Sequence, residues 1–118
     1  MINQASNKNY THLITTPQEC LPVNHDELLQ DLRGSLDSID NEICEGISRR
    51  LKIIKEIGEV KKEHNIPIMQ NHRVDFVLDK AKSFGEMHNV NPQFLVRVFE
   101  LFIEEACKIE DKVIEQEE

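Results

Sequence analysis

From His25 to His64 the chain runs without a proline. Read as one helix at 1.5 Å per residue, this stretch makes a rod of about 60 Å. Its apolar positions, Leu32, Leu36, Ile39, Ile43, Ile47, Leu51, Ile54, Ile57 and Val60, step by three or four. That is the period of a helix with one buried face. A helix this long cannot cover its own stripe in a small monomer, so something else has to pack along it. Two cations fall inside the stripe. At 100° per residue, Arg50 and Lys61 project within a few tens of degrees of Ile39, Ile43 and Ile57. A charge is seldom kept on a buried face without a partner.

The remainder of the chain also reads as helix. Asn24 or His25 can start the first helix, with Asp26 and Glu27 favourable in its first turn. Pro67 disfavours helical geometry at Ile66, so Ile66 to Gln70 is expected to be an extended connector. A second helix is expected from Asn71 to His88, with Val74, Val77, Leu78, Ala81 and Phe84 inward and its end weakened by Gly85. Asn91-Pro92 supplies an N-cap followed by proline at the first helical position. The third helix carries Leu95, Phe99, Phe102, Ala106, Ile109 and Val113 at helical spacing, and frays into Glu115 to Glu118. The pattern predicts an all-α chain of three helices, the first much the longest. Residues 1–24 show no periodicity and are expected to be a flexible extension on a helical domain spanning 25–118.

Composition limits the partners. With 118 residues the chain has room for one modest core, to which oligomerisation would add. A net charge of −8 argues against nucleic acid and anionic membrane surfaces, though not against a small anion held by a few buried cations. Cys20, Cys44 and Cys107 are odd in number and far apart, which gives neither a disulfide framework nor a zinc site. A reducing compartment and a cytoplasmic location are the simplest expectation. The histidines His12, His25, His64, His72 and His88 fall in no metal-binding spacing. No glycine-rich phosphate loop and no nucleophile motif is present. An enzyme built from these residues is expected to use neither nucleophile, metal nor cofactor.

Several charged positions admit two readings. Arg50 and Lys61 either snorkel from the edge of the stripe or pair across a helix interface, or they lean together over one small dianion. Arg50 lies near the centre of the stripe, which speaks for the dianion. They are three turns apart, about 16 Å along the axis. Arg33 is about 25 Å from Arg50 on the same helix, so it joins such a site only from a second copy and is otherwise a surface residue. Arg73 opens the second helix, where the macrodipole disfavours a cation, and can be a ligand contact or a surface group. Glu110 sits on the shoulder of the third helix's stripe and can be buried or exposed. Lys52, Lys55, Lys62 and Arg97 read as solvated.

Taken together, Leu32-Arg33, Ile39-Asp40, Arg50, Lys61, Ile66-Pro67, Arg73 and the run from Phe99 to Glu110 resemble the small all-helical chorismate mutases from about Leu32 to Asp111. The resemblance implies an intertwined homodimer in which long first helices cross between subunits. It implies that Arg50, with Arg33 from the partner chain, grips the substrate carboxylates. Lys61 would then contact the ether oxygen and Arg73 would support the site. Four positions depart from the usual pattern. Glu110 stands where a glutamine usually contacts the ether oxygen. A carboxylate would repel charge developing there, so Glu110 is expected to work protonated. Gln70 and Val74 replace an acidic pair around the C4 hydroxyl, and Ala106 replaces a serine. The segment from Ile66 through Gln70 to Arg73-Val74 is similar to mutases acting on 4-amino-4-deoxychorismate, and Arg73-Val74 also to isochorismate-pyruvate lyases. The implied activity is a cofactor-free [3,3]-sigmatropic rearrangement of chorismate or its 4-amino analogue. An isochorismate-pyruvate lyase and a non-catalytic helical dimerisation module are the alternatives.

Overall fold

A computed structural model describes residues 24–116, and the expected extension, up to residue 23 and including Cys20, lies outside the described residues. The described chain consists of α1 (His25–His64), α2 (Asn71–His88) and α3 (Pro92–Glu115), with no strand among the described residues. It is an all-α structure, and no described helix is long and apolar enough to cross a membrane.

Each helix end has a local cause. The Asn24 side chain accepts the backbone N–H groups of Asp26 and Glu27 at 3.0 and 3.1 Å, which satisfies two otherwise free donors of the first turn. At the other end of α1, Asn65 takes positive φ (56°), and the Ile66 N–H donates back to the Lys61 carbonyl at 2.9 Å. This closure with a left-handed residue, followed by Pro67, terminates α1. Asn91 caps α3 by accepting from Gln93 and Phe94, with Pro92 next in line.

α2 runs through Gly85 to His88, the end its sequence predicts. Gly85 is buried, and its carbonyl accepts from Asn89 and Val90. A Cβ there would stand 2.6 Å from the Val90 carbonyl oxygen and 2.9 Å from Pro92 Cα. The glycine lets the α2–α3 turn fold back against its own helix. Phe84 differs from expectation. It is 53% exposed and stacks on His88 with ring centroids 4.0 Å apart. Its helical position selects a face, but nothing among the described residues covers that end of it.

The chain divides at Asp40 into two compact units. Within the first, the described residues are the start of α1, where Leu29, Leu32, Leu36 and Ile39 are all exposed. Among the described residues of this unit there is no second element for that stripe to pack against. The second unit, from Asn41, holds the rest of α1 together with α2 and α3. Its buried apolar side chains are Ala81, Ala106 and Val113, and the buried charged one is Glu110. Gly58 of α1 and Gly85 of α2 are buried with them.

Candidate active site

Lys61 and Glu110 meet inside the second unit. Lys61 lies in the last turn of α1, where a cation suits the helix dipole. Its Nζ donates to Glu110 Oε1 at 2.8 Å and to the carbonyl oxygen of Ile68 at 2.6 Å. Glu110 reaches this point from the buried face of α3 and is 5% exposed. The ion pair is thus largely removed from water, where each partner depends on the other.

Arg50 is placed three turns earlier on α1, and its guanidinium carbon lies 5.1 Å from the Phe102 ring centroid and 5.9 Å from that of Phe99. Those distances suit cation–π attraction. Its Nη1 is buried and has no hydrogen-bond partner among the described residues. Burial, then the nearby positive charge of Arg73, hold the Arg50 pKa below the ordinary arginine value. Arginine stays protonated under such a shift. With its Nη1 unpartnered among the described residues and Arg73 close by, Arg50 is an under-compensated cation, the condition in which an arriving anion binds well.

Between these groups lies a cavity of about 310 Å³. It is at the small end of ligand pockets, which run from about 300 to 1,000 Å³. Arg50 and Lys61 from α1, Gln70 from the connector, Arg73 and Val74 from α2, and Ala106 and Glu110 from α3 all line it. The structure therefore brings together seven of the eight residues singled out in the sequence. Arg33 is the eighth; it belongs to the first unit and is exposed. Three cations against one carboxylate leave the cavity with a net positive charge, which suits a small dianion.

Other participants left weaker traces in the sequence. The Ile68 carbonyl is a backbone group, and no residue type announces it. His72, Met69 and Cys107 also line the cavity. The Cys107 thiol is pushed up from its usual pKa by burial first and by the Glu110 charge second, so it stays protonated at neutral pH. A larger groove of about 710 Å³ is lined by Ile47, Leu51, Ile109 and Val113 with Lys52, Lys55 and Lys112. Those lysines are exposed, as the sequence suggests, and the groove gathers no buried charge.

Comparisons with known proteins point to one family. A family model described as chorismate mutase type II matches residues 32–111. A 4-amino-4-deoxychorismate mutase of Streptomyces venezuelae is 35% identical over 89 residues, covering 75% of this chain and 86% of the relative. A second 4-amino-4-deoxychorismate mutase, from Streptomyces pristinaespiralis, is 36% identical over 73% of this chain and 67% of its own length. A chorismate mutase of Methanocaldococcus jannaschii is 28% identical over 76% of this chain and 91% of its own length. The chain belongs to the type II chorismate mutases, and it is an isomerase of that family.

Proposed function

We propose that this protein rearranges 4-amino-4-deoxychorismate to 4-amino-4-deoxyprephenate, in the cavity between Arg50 and Lys61. The observation that carries the substrate assignment is that Gln70, Val74 and Ala106 line the same cavity as the cations. These are the positions where the chain departs from mutases that surround a C4 hydroxyl with carboxylates. Two relatives at 35 and 36% identity bear the name 4-amino-4-deoxychorismate mutase, which supports the same choice.

The chemistry is unimolecular. The ether C–O bond breaks as a C–C bond forms across the ring, with no proton or nucleophile exchanged. Arg50 grips a carboxylate and, with its fixed fork, holds the compact conformer in which the reacting carbons meet. Lys61 is anchored by the Ile68 carbonyl and turns toward the ether oxygen as that oxygen gains negative charge. Glu110, once protonated, donates to the same oxygen. Arg73 adds positive potential beside Arg50.

Incubation with 4-amino-4-deoxychorismate, chorismate and isochorismate, followed by product identification, tests the assignment. The 4-amino substrate is expected to lead chorismate by about tenfold or more in kcat/KM. A preference for chorismate overturns the choice of substrate. Pyruvate released from isochorismate points to the lyase, and no turnover of any of the three to a dimerisation module.

We also infer a homodimer whose second copy completes the site with Arg33. The support is the exposed stripe of Leu29, Leu32, Leu36 and Ile39, together with the lack of any fully buried large side chain among the described residues. Mixed Arg33→Ala and Arg50→Ala subunits should regain about a quarter of wild-type activity, since half the dimers then carry one intact site of two. No recovery after confirmed subunit exchange rejects the shared site.

A further inference from the structure

Gly58 is the buried residue of α1 and stands where α1 meets α3. A Cβ at this position would lie 3.3 Å from Val113 Cβ, 3.4 Å from Glu110 Cα and 3.5 Å from Glu110 Cγ. The first separation is tighter than ordinary side-chain packing, and the other two are already full contact. The other glycines of α1 differ. At Gly46 the nearest group is Arg49 Nη2 at 4.0 Å, and at Gly34 nothing lies within 4 Å. A glycine in mid-helix is less stable than an alanine. At Gly58 this disadvantage coincides with a crossing where a methyl group fits only if Val113 gives way by a few tenths of an ångström.

The position ties the crossing to the site. Lys61 is one turn beyond Gly58 on α1, and the residues that Gly58 faces on α3 are Val113 and Glu110 itself. We propose that Gly58 is a positioning residue: its missing side chain sets the α1–α3 separation at which the Glu110 carboxyl reaches Lys61 Nζ. The 2.8 Å pair is one observable consequence. The placement of both groups on one reacting oxygen is the other, and that part rests on the mutase reading above.

Helix propensity and site geometry predict opposite signs for one substitution. Gly58→Ala should melt no lower than the wild type, yet lose about threefold to tenfold in kcat/KM, carried by kcat. Gly58→Val should lose about a hundredfold. Gly46→Ala, with open space around its Cβ, should keep wild-type turnover. A readout independent of any reaction is the coupling between Lys61 and Glu110. It is measured as a double-mutant cycle of Lys61→Met and Glu110→Gln on the unfolding equilibrium constant. In the Gly58 protein the coupling factor is expected to be about tenfold, and in the Gly58→Ala background at most half of that.

Equal coupling in both backgrounds overturns the proposal. So does unchanged kcat/KM in Gly58→Ala, even with the coupling reduced. If Gly58→Val does not fold, the alanine comparison decides alone. If the wild type turns over none of the three substrates, the mutase reading has failed, and the coupling alone judges Gly58.

Discussion

Replacing Arg50 by alanine is expected to lower kcat/KM about a thousandfold, close to 4 kcal/mol of transition-state stabilisation, while leaving the melting temperature unchanged or slightly higher. The two effects have one origin. In the free protein the Arg50 Nη1 is buried without a hydrogen-bond partner among the described residues. Burial and Arg73 both disfavour its charge. Folding therefore carries a desolvation cost that the protein's own groups do not offset. An anionic substrate offsets it, and removing the side chain removes cost and grip together. The gain in stability stays small because the guanidinium also packs over Phe99 and Phe102. Arg50→Lys keeps the charge but loses the planar fork, and should recover only part of the activity. Steady-state kinetics and thermal melts check both halves. Wild-type kcat/KM in the alanine variant would remove Arg50 from the site.

A second large effect should appear on raising the pH. If Glu110 donates a hydrogen bond to the ether oxygen, only its protonated form is active, and kcat/KM should fall up to tenfold per pH unit on the alkaline side. Glu110→Gln supplies a permanent donor of similar shape and should flatten the profile, overtaking the wild type at alkaline pH by roughly ten- to a hundredfold. The groups around it make the assignment decidable. Cys107 is held protonated through neutral pH by its burial and by Glu110. A limb that survives Glu110→Gln belongs to another group lining the cavity. That outcome, or a rate that does not fall with pH, would sink the protonated-acid role.

The positions of Arg50 and Lys61 were legible because the chain breaks its own pattern there. An apolar stripe interrupted by cations identifies them before any fold is known, since helical periodicity is a local property. The helix ends were legible for the same reason, in Asn24, Pro67 and Asn91-Pro92. Periodicity made Glu110 legible as a candidate, and only the family resemblance, which puts it and Lys61 at one ether oxygen, brought the two together. The two are 49 residues apart, and no local period relates them. Phe84 shows the limit from the other side. Its spacing assigned it to an inward face, yet it is exposed, because periodicity orients a side chain without saying what stands opposite.

Three helices, their boundaries and the two cations on α1 follow from local spacing, caps and residue type. The departures at Gln70, Val74, Ala106 and Glu110 follow from the resemblance to the mutase family, since they exist only against its pattern. Contacts across the fold settle that Lys61 is held between Glu110 and the Ile68 carbonyl, that Arg50 sits over two phenylalanines with no polar partner for Nη1 among the described residues, and that Gly58 packs against Val113 and Glu110 of α3. The physical reason is that desolvation, ion pairing and close packing depend on which groups meet across the chain. That information is held in the distances between helices, not in the period of any one of them.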